Sequence, residues 1–216
     1  MNEVGLFCGT FNPIHLGHLL IAECARDQFK LAKVLFVLSP RPPHRGKDLL
    51  EAEDRFALVE AACKSNKNFL ASRLEMDRPG PSYTVDTVKA LQESYERVNL
   101  IIGGDNLAYL KTWHNYEELL SLTRLLVVPR LRYQDEDPAL KCVREESISP
   151  QAVDLPGADI EMVDFPGIAV SASLIRSRAA CGKTILYMVP PEVDELIRAR
   201  GYYKEALPLN QEAGKS

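Results

Sequence analysis

Five short apolar runs recur along the chain: Val4–Phe7, Val34–Leu38, Phe69–Ala71, Val98–Ile102 and Leu125–Val128. No other feature constrains the fold as strongly. A strand that is apolar on both faces must be covered on both, and parallel sheets achieve this with crossover helices. Helical patterns lie between the runs. One passes from Leu19-Leu20 through Ala25 to Phe29, and a second from Arg55 through Leu58-Val59 to Ala62. A third passes from Val85 through Val88 to Leu91-Gln92, and a fourth covers Tyr116–Leu122. The alternation predicts an α/β fold, a doubly wound parallel sheet with right-handed crossovers.

With 216 residues, 46% of them hydrophobic and 26% charged, the chain has room for one generous soluble domain. That domain is expected over residues 1–203, closing with a short helical C-terminal part. The polar tail 204–216, which contains Pro208, is expected to be loose. Residues 130–159 mix charges with Pro138, Pro150 and Pro156, and read as a peripheral excursion with a short helix around 139–145. There is no internal repeat.

The net charge of -4 argues against general attraction to nucleic acid or anionic membrane, so any polyanion must meet a local basic cluster. No run approaches the ~18 apolar residues of a membrane span, and no signal peptide is evident. The chain reads as cytoplasmic. Its five scattered cysteines, Cys8, Cys24, Cys63, Cys142 and Cys181, lack C-x-x-C spacing and suit packing in a reducing compartment.

The first apolar run leads into Gly9-Thr10-Phe11-Asn12-Pro13-Ile14-His15-Leu16-Gly17-His18. A buried strand feeds a Gly/Asn/Pro turn, and the turn feeds a helix beginning near Leu16. Two imidazoles therefore sit beside the free N–H groups of a helix N-terminus, which is a seat for phosphate. Zinc would need three or four ligands, and only His44 and His114 remain as imidazoles, so the pair reads as a phosphate contact and not a metal site. The bland alternative is a pair of satisfied turn histidines. Gly9 and Gly17, which permit close approach of a ligand to the backbone, weaken it.

Four further strings sit where loops leave the sheet. In Ser39–Arg45, prolines stiffen a loop to which Arg41, His44, Arg45 and Lys47 lend positive charge. Arg78–Thr87 looks like a rigid loop entering a helix capped by Ser82 or Thr84. Gly103-Gly104-Asp105 ends the fourth strand, with glycines for close approach and a carboxylate suited to a ribose hydroxyl pair. Trp113, the only tryptophan, follows shortly, either as core or as a stacking plate. Val170–Arg178 carries hydroxyls that cap a helix and Arg176 one turn inside, a second anion seat.

The first string resembles the H-x-G-H signature of the nucleotidyltransferase superfamily. G-T-F-N-P-I-H-L-G-H, P-P-H-R, R-P-G-P-S-Y-T-V-D-T, I-G-G-D-N-L, T-W-H-N-Y, V-S-A-S-L-I-R, L-Y-M-V-P-P-E-V and G-Y-Y run in the same order in this chain as in the bacterial nicotinate-nucleotide adenylyltransferase family, over about Val4 to Tyr203. The resemblance implies a Rossmann-like nucleotidyltransferase fold and a reaction joining ATP to nicotinate mononucleotide. The products are nicotinate adenine dinucleotide and pyrophosphate, in NAD biosynthesis.

The resemblance also implies roles. His15, His18 and Arg176 are the catalytic residues, with the imidazoles on the ATP phosphates. Gly9 and Thr10 add backbone N–H groups, Arg45 a charge, and Ser173 with Arg176 the grip on the β- and γ-phosphates. Gly104 and Asp105 meet the adenosine ribose. Trp113 stacks on the pyridine ring while backbone near Thr84 receives its carboxylate. Mg²⁺ arrives with ATP. The partners are these two substrates, with no nucleic acid and no membrane, and with homo-oligomerisation left open. Three positions depart from the family pattern: Cys8 for Gly or Ala, Arg45 for Lys, and Leu174 for a polar residue. Arg45 keeps the charge but changes its geometry.

Two rival readings remain. One is a superfamily enzyme with another acceptor, such as phosphopantetheine, or one using CTP. The C-terminal length and the T-W-H block stand against it. The other is a regulatory module that senses ATP without turnover, against which stand His15, His18, Ser173 and Arg176.

Overall fold

A computed structural model describes residues 2–42, 49–129 and 155–204, together with the backbone of 131–133 and 142–144. Six strands form one parallel sheet: β1 (Glu3–Gly9), β2 (Lys33–Leu38), β3 (Phe69–Ser72), β4 (Arg97–Gly103), β5 (Thr123–Val128) and β8 (Asp159–Met162). Their order is β3-β2-β1-β4-β5-β8, with every pair parallel. A separate antiparallel ribbon pairs β6 (Leu131–Tyr133) with β7 (Cys142–Arg144).

Strand alternation divides the apolar residues between two cores. Val34, Phe36 and Leu38 of β2, with Ile101, Leu126 and Val128, join the core on one face. Leu35 and Val37, with Val98, Leu100, Ile102, Leu125 and Val127, join the other. The first core is closed by α1 (Leu16–Gln28), α2 (Ala52–Cys63), α6 (Ala172–Ala180) and α7 (Pro191–Arg200). The second is closed by α3 (Thr84–Gln92), α4 (Gly104–Tyr109) and α5 (Tyr116–Leu122). Each fully buried Leu or Phe in these layers contributes about 1.5–3 kcal/mol of transfer free energy. The doubly wound sheet and the helical C-terminal part, α6 and α7, are as the sequence predicts.

Three local expectations need correction. The N-cap of α3 is Tyr83, in extended backbone, rather than Ser82 or Thr84; Thr84 is already helical. The stretch expected to hold a helix around 139–145 instead has strand β7 at Cys142–Arg144, because its backbone pairs with Leu131–Tyr133. The rest of that stretch lies outside the described residues. The excursion also ends in β8, a sixth strand whose short, half-buried run Asp159–Met162 carries little periodic signal. Among the described residues, no helix is long and apolar enough to cross a membrane.

Candidate active site

The chain leaves the sheet in opposite directions at β1 and β4, which lie side by side. In open parallel sheets such a switch point leaves a crevice beyond the strand ends. Here it is a cavity of about 470 Å³, walled by His15 and His18 at the N-terminus of α1, Gly103 at the end of β4, Asp105 in the first turn of α4, and Ser171 at the start of α6. Phe165 and Ile168 form an apolar flank.

The turn after β1 is shaped by packing. Phe11 takes a left-handed backbone (φ 45) and buries its ring at 3% exposure. The ring lies against Gly9, where a Cβ would come within 2.8 Å of it. The close approach that Gly9 permits is therefore made by Phe11. His18 then rests edge-on against Phe11 (centroids 5.1 Å, planes 87° apart) and Phe7 (5.9 Å, 68°).

His15 is the N-cap of α1, in extended backbone, and His18 lies one turn inside. The His15 N–H donates to His18 Nδ1 (3.2 Å). The neutral His18 ring must then carry its proton on Nε2, the nitrogen left to donate to a ligand. The two rings stack at 3.7 Å, 25° from parallel. Burial pushes the His15 pKa down to about 4. Burial, and secondarily the charge His15 would carry, holds His18 well below the usual histidine range. Both imidazoles are therefore neutral near pH 7. His15 Nδ1 is buried with no hydrogen-bond partner among the described residues, a deficit that typically costs about 1–3 kcal/mol.

Asp105 lies in the first turn of α4 and folds back over Gly103, where a Cβ would sit 2.5 Å from Asp105 Oδ1. A side chain at Gly103 would displace that carboxylate, the only one among the described residues lining the cavity. Gly104 is buried as the first residue of α4.

On α6, Ser171 caps the helix by accepting from Leu174 N–H (3.2 Å). Arg176 Nη1 donates to the Asn12 carbonyl (2.9 Å) and Nη2 to Ser173 Oγ (3.4 Å), which ties α6 to the turn after β1. Thr84 and Trp113 wall a different hollow, of about 180 Å³, with Ser82, Tyr83 and His114. There the Tyr83 and His114 rings stack at 4.0 Å, 24° from parallel. Trp113 is half-buried and also packs against the second core.

The structure thus brings His15, His18 and Asp105 together on one cavity, of whose α6 side Ser171 is the lining residue, holds Arg176 with Ser173 against the Asn12 carbonyl of the turn after β1, and pairs Thr84 with Trp113 in a second hollow. Arg45, His44 and Lys47 lie outside the described residues.

The family model described as Cytidylyltransferase-like matches residues 6–178. A protein of Caldicellulosiruptor bescii named as a probable nicotinate-nucleotide adenylyltransferase is 39% identical over 202 residues, 94% of this chain and 99% of that protein. One of the same name from Moorella thermoacetica is 38% identical, over 98% and 96% of the two chains. The chain belongs to the nicotinate-nucleotide adenylyltransferase family. Among solved structures, the Plasmodium falciparum nicotinic acid mononucleotide adenylyltransferase complexed with NaAD superposes with a TM-score of 0.71 at 16% identity, over 94% of this chain and 98% of that one, a likeness of fold.

This adenylyltransferase fold also holds residues that sequence reasoning passed over. Arg55, read as part of a helical pattern, is only 1% exposed. Its guanidinium donates to four carbonyls: Leu50 (2.9 Å), Thr10 (2.7 Å), Ser39 (2.9 Å) and Pro40 (2.9 Å). It thereby joins the turns after β1 and β2. Burial holds its pKa below the usual arginine range, but a guanidinium stays charged at any working pH. An arginine inside an otherwise apolar helical face is the sequence signal for such a role. Glu75, 4% exposed, accepts from Thr87 Oγ1 (3.0 Å) and lies 3.8 Å from Cys8 Sγ. Burial raises the Cys8 thiol well above its usual range, with the Glu75 charge adding to it, so Cys8 is a packing residue.

Proposed function

We infer that the protein transfers the adenylyl group of ATP to nicotinate mononucleotide, giving nicotinate adenine dinucleotide and pyrophosphate. An oxygen of the mononucleotide phosphate forms the new bond to the α-phosphorus of ATP, and the bond from that phosphorus to the bridging oxygen of the β-phosphate breaks. Pyrophosphate leaves with the bonding pair. No protein nucleophile is required, since the acceptor is already an oxyanion. Catalysis rests on positioning and on stabilising the charge of the leaving pyrophosphate.

The observation that carries this reading is the paired imidazoles at the N-terminus of α1, facing a switch-point cavity. His18 Nε2–H and the α1 N-terminus are the proposed donors to the phosphates, with Gly9 and Thr10 at the turn. Arg176 and Ser173 supply the β,γ-phosphate contacts from α6, and Arg45 supplies charge from its loop. Gly104 and Asp105 take the ribose, and the apolar flank of Phe165 and Ile168 suits the flat base. The hollow of Thr84 and Trp113 receives the pyridine ring. Mg²⁺ enters as part of the ATP substrate. The cavity suits that form, because its described lining offers one carboxylate, too few oxygen ligands for a protein cage around a hard cation. The catalytic unit spans residues 1–203.

Label transfer tests the reaction directly. With ATP labelled at the α-phosphorus, the label should move to a dinucleotide and the pyrophosphate should stay unlabelled. Label retained in ATP, or released as AMP, would refute adenylyl transfer.

A further inference from the structure

The turn after β1 is gripped by a residue from the far end of the chain. The Tyr203 hydroxyl donates to Asn12 Oδ1 (2.9 Å), across 191 positions of sequence. The same oxygen accepts the Leu50 N–H at the entry to α2 (3.3 Å). Asn12 is 7% exposed, so its side chain is held from two sides inside the protein. Its main-chain carbonyl accepts Arg176 Nη1 (2.9 Å). Tyr203 also adopts φ 61, a left-handed backbone unusual for a bulky side chain. Such backbone persists only where surrounding contacts over-determine it.

We propose that Tyr203 is a positioning residue for Arg176, acting through Asn12. The inference rests on the assignment of Arg176 to the ATP phosphates. A guanidinium on a flexible stem contributes most to phosphate binding when its direction is set before the ligand arrives. The Asn12 carbonyl sets that direction, and two donors on Asn12 Oδ1 set the carbonyl. The segment that carries Tyr203 has its own anchor. Tyr202 donates to Asp54 Oδ1 (2.6 Å), and Arg200 contacts the same carboxylate (3.1 Å). Removing the Tyr203 hydroxyl therefore leaves the C-terminal segment docked and withdraws one of the donors that hold Asn12.

The test is a double-mutant cycle of Tyr203→Phe and Arg176→Ala, with Tyr202→Phe as the control. Tyr203→Phe should raise the ATP KM about three- to tenfold, the effect of one hydrogen bond, and leave the nicotinate mononucleotide KM unchanged. In the Arg176→Ala background the same substitution should have no further effect on ATP. Tyr202→Phe should lower the melting temperature without moving the ATP KM. Additive effects of Tyr203→Phe and Arg176→Ala, or equal shifts in both substrates, would overturn the relay while leaving Arg176 assigned to ATP. An Arg176→Ala enzyme with an unchanged ATP KM would overturn that assignment and the relay with it.

Discussion

The imidazoles of His15 and His18 lie stacked, their centroids 3.7 Å apart, with the backbone N–H of one donating to Nδ1 of the other. Two buried rings stacked at this distance do not both take up a proton. They stand instead as neutral donors beside a helix N-terminus. In the proposed reaction, their hydrogen bonds to phosphate would strengthen as negative charge collects on the leaving pyrophosphate.

For that reason His18→Ala should lower kcat by about 10²–10³, the usual cost of losing one preorganised donor. Its circular dichroism spectrum should match wild type. A well-folded variant with near-wild-type kcat would remove His18 from the phosphate site.

His15 ties stability to pH. Its pKa is about 4 in the folded protein and 6.5 in the unfolded chain. Below 6.5 the unfolded chain takes up a proton that the folded protein refuses. The stability present above pH 6.5 is therefore lost as pH falls towards 4. From this group alone the loss between pH 7.5 and pH 5 is about 2 kcal/mol. His18, shifted in the same direction, adds to it. Glu75, whose pKa burial raises, acts in the opposite sense. Urea unfolding of wild type and His15→Gln at both pH values isolates the His15 share. Equal pH slopes for the two proteins would contradict it.

Trp113→Ala should weaken the acceptor more than ATP. Aromatic pairs contribute about 0.5–1.5 kcal/mol beyond buried area, which makes roughly a tenfold rise in nicotinate mononucleotide KM. Because Trp113 also packs on the second core, its melting temperature must be measured on the same variant. A large loss of stability with unchanged relative KM values would retire the stacking role.

The sheet was legible because β1, β2 and β5 are buried on both faces and read as apolar runs, as does β4 on either side of its buried Asn99. β8 was not, since its residues are half-buried or exposed at the sheet edge and alternate too briefly to register. The turn after β1 was legible through its residue types: strand, Gly/Asn/Pro and paired imidazoles. What held it was not, because Arg55, Asn12 and Tyr203 act through contacts to backbone carbonyls and to one another across long sequence separations. Such contacts leave no periodicity. The N-cap of α3 was misplaced for a related reason: Tyr83 closes that corner by stacking on His114 and not by a capping side chain.

The proposed reaction is adenylyl transfer to a pyridine mononucleotide carrying a carboxylate. It is tested most directly by pyrophosphate release from ATP with nicotinate mononucleotide, nicotinamide mononucleotide or phosphopantetheine as acceptor. Rapid release with nicotinate mononucleotide, weaker release with the amide and none with phosphopantetheine is the predicted result. Turnover with phosphopantetheine, or none with nicotinate mononucleotide, would contradict it.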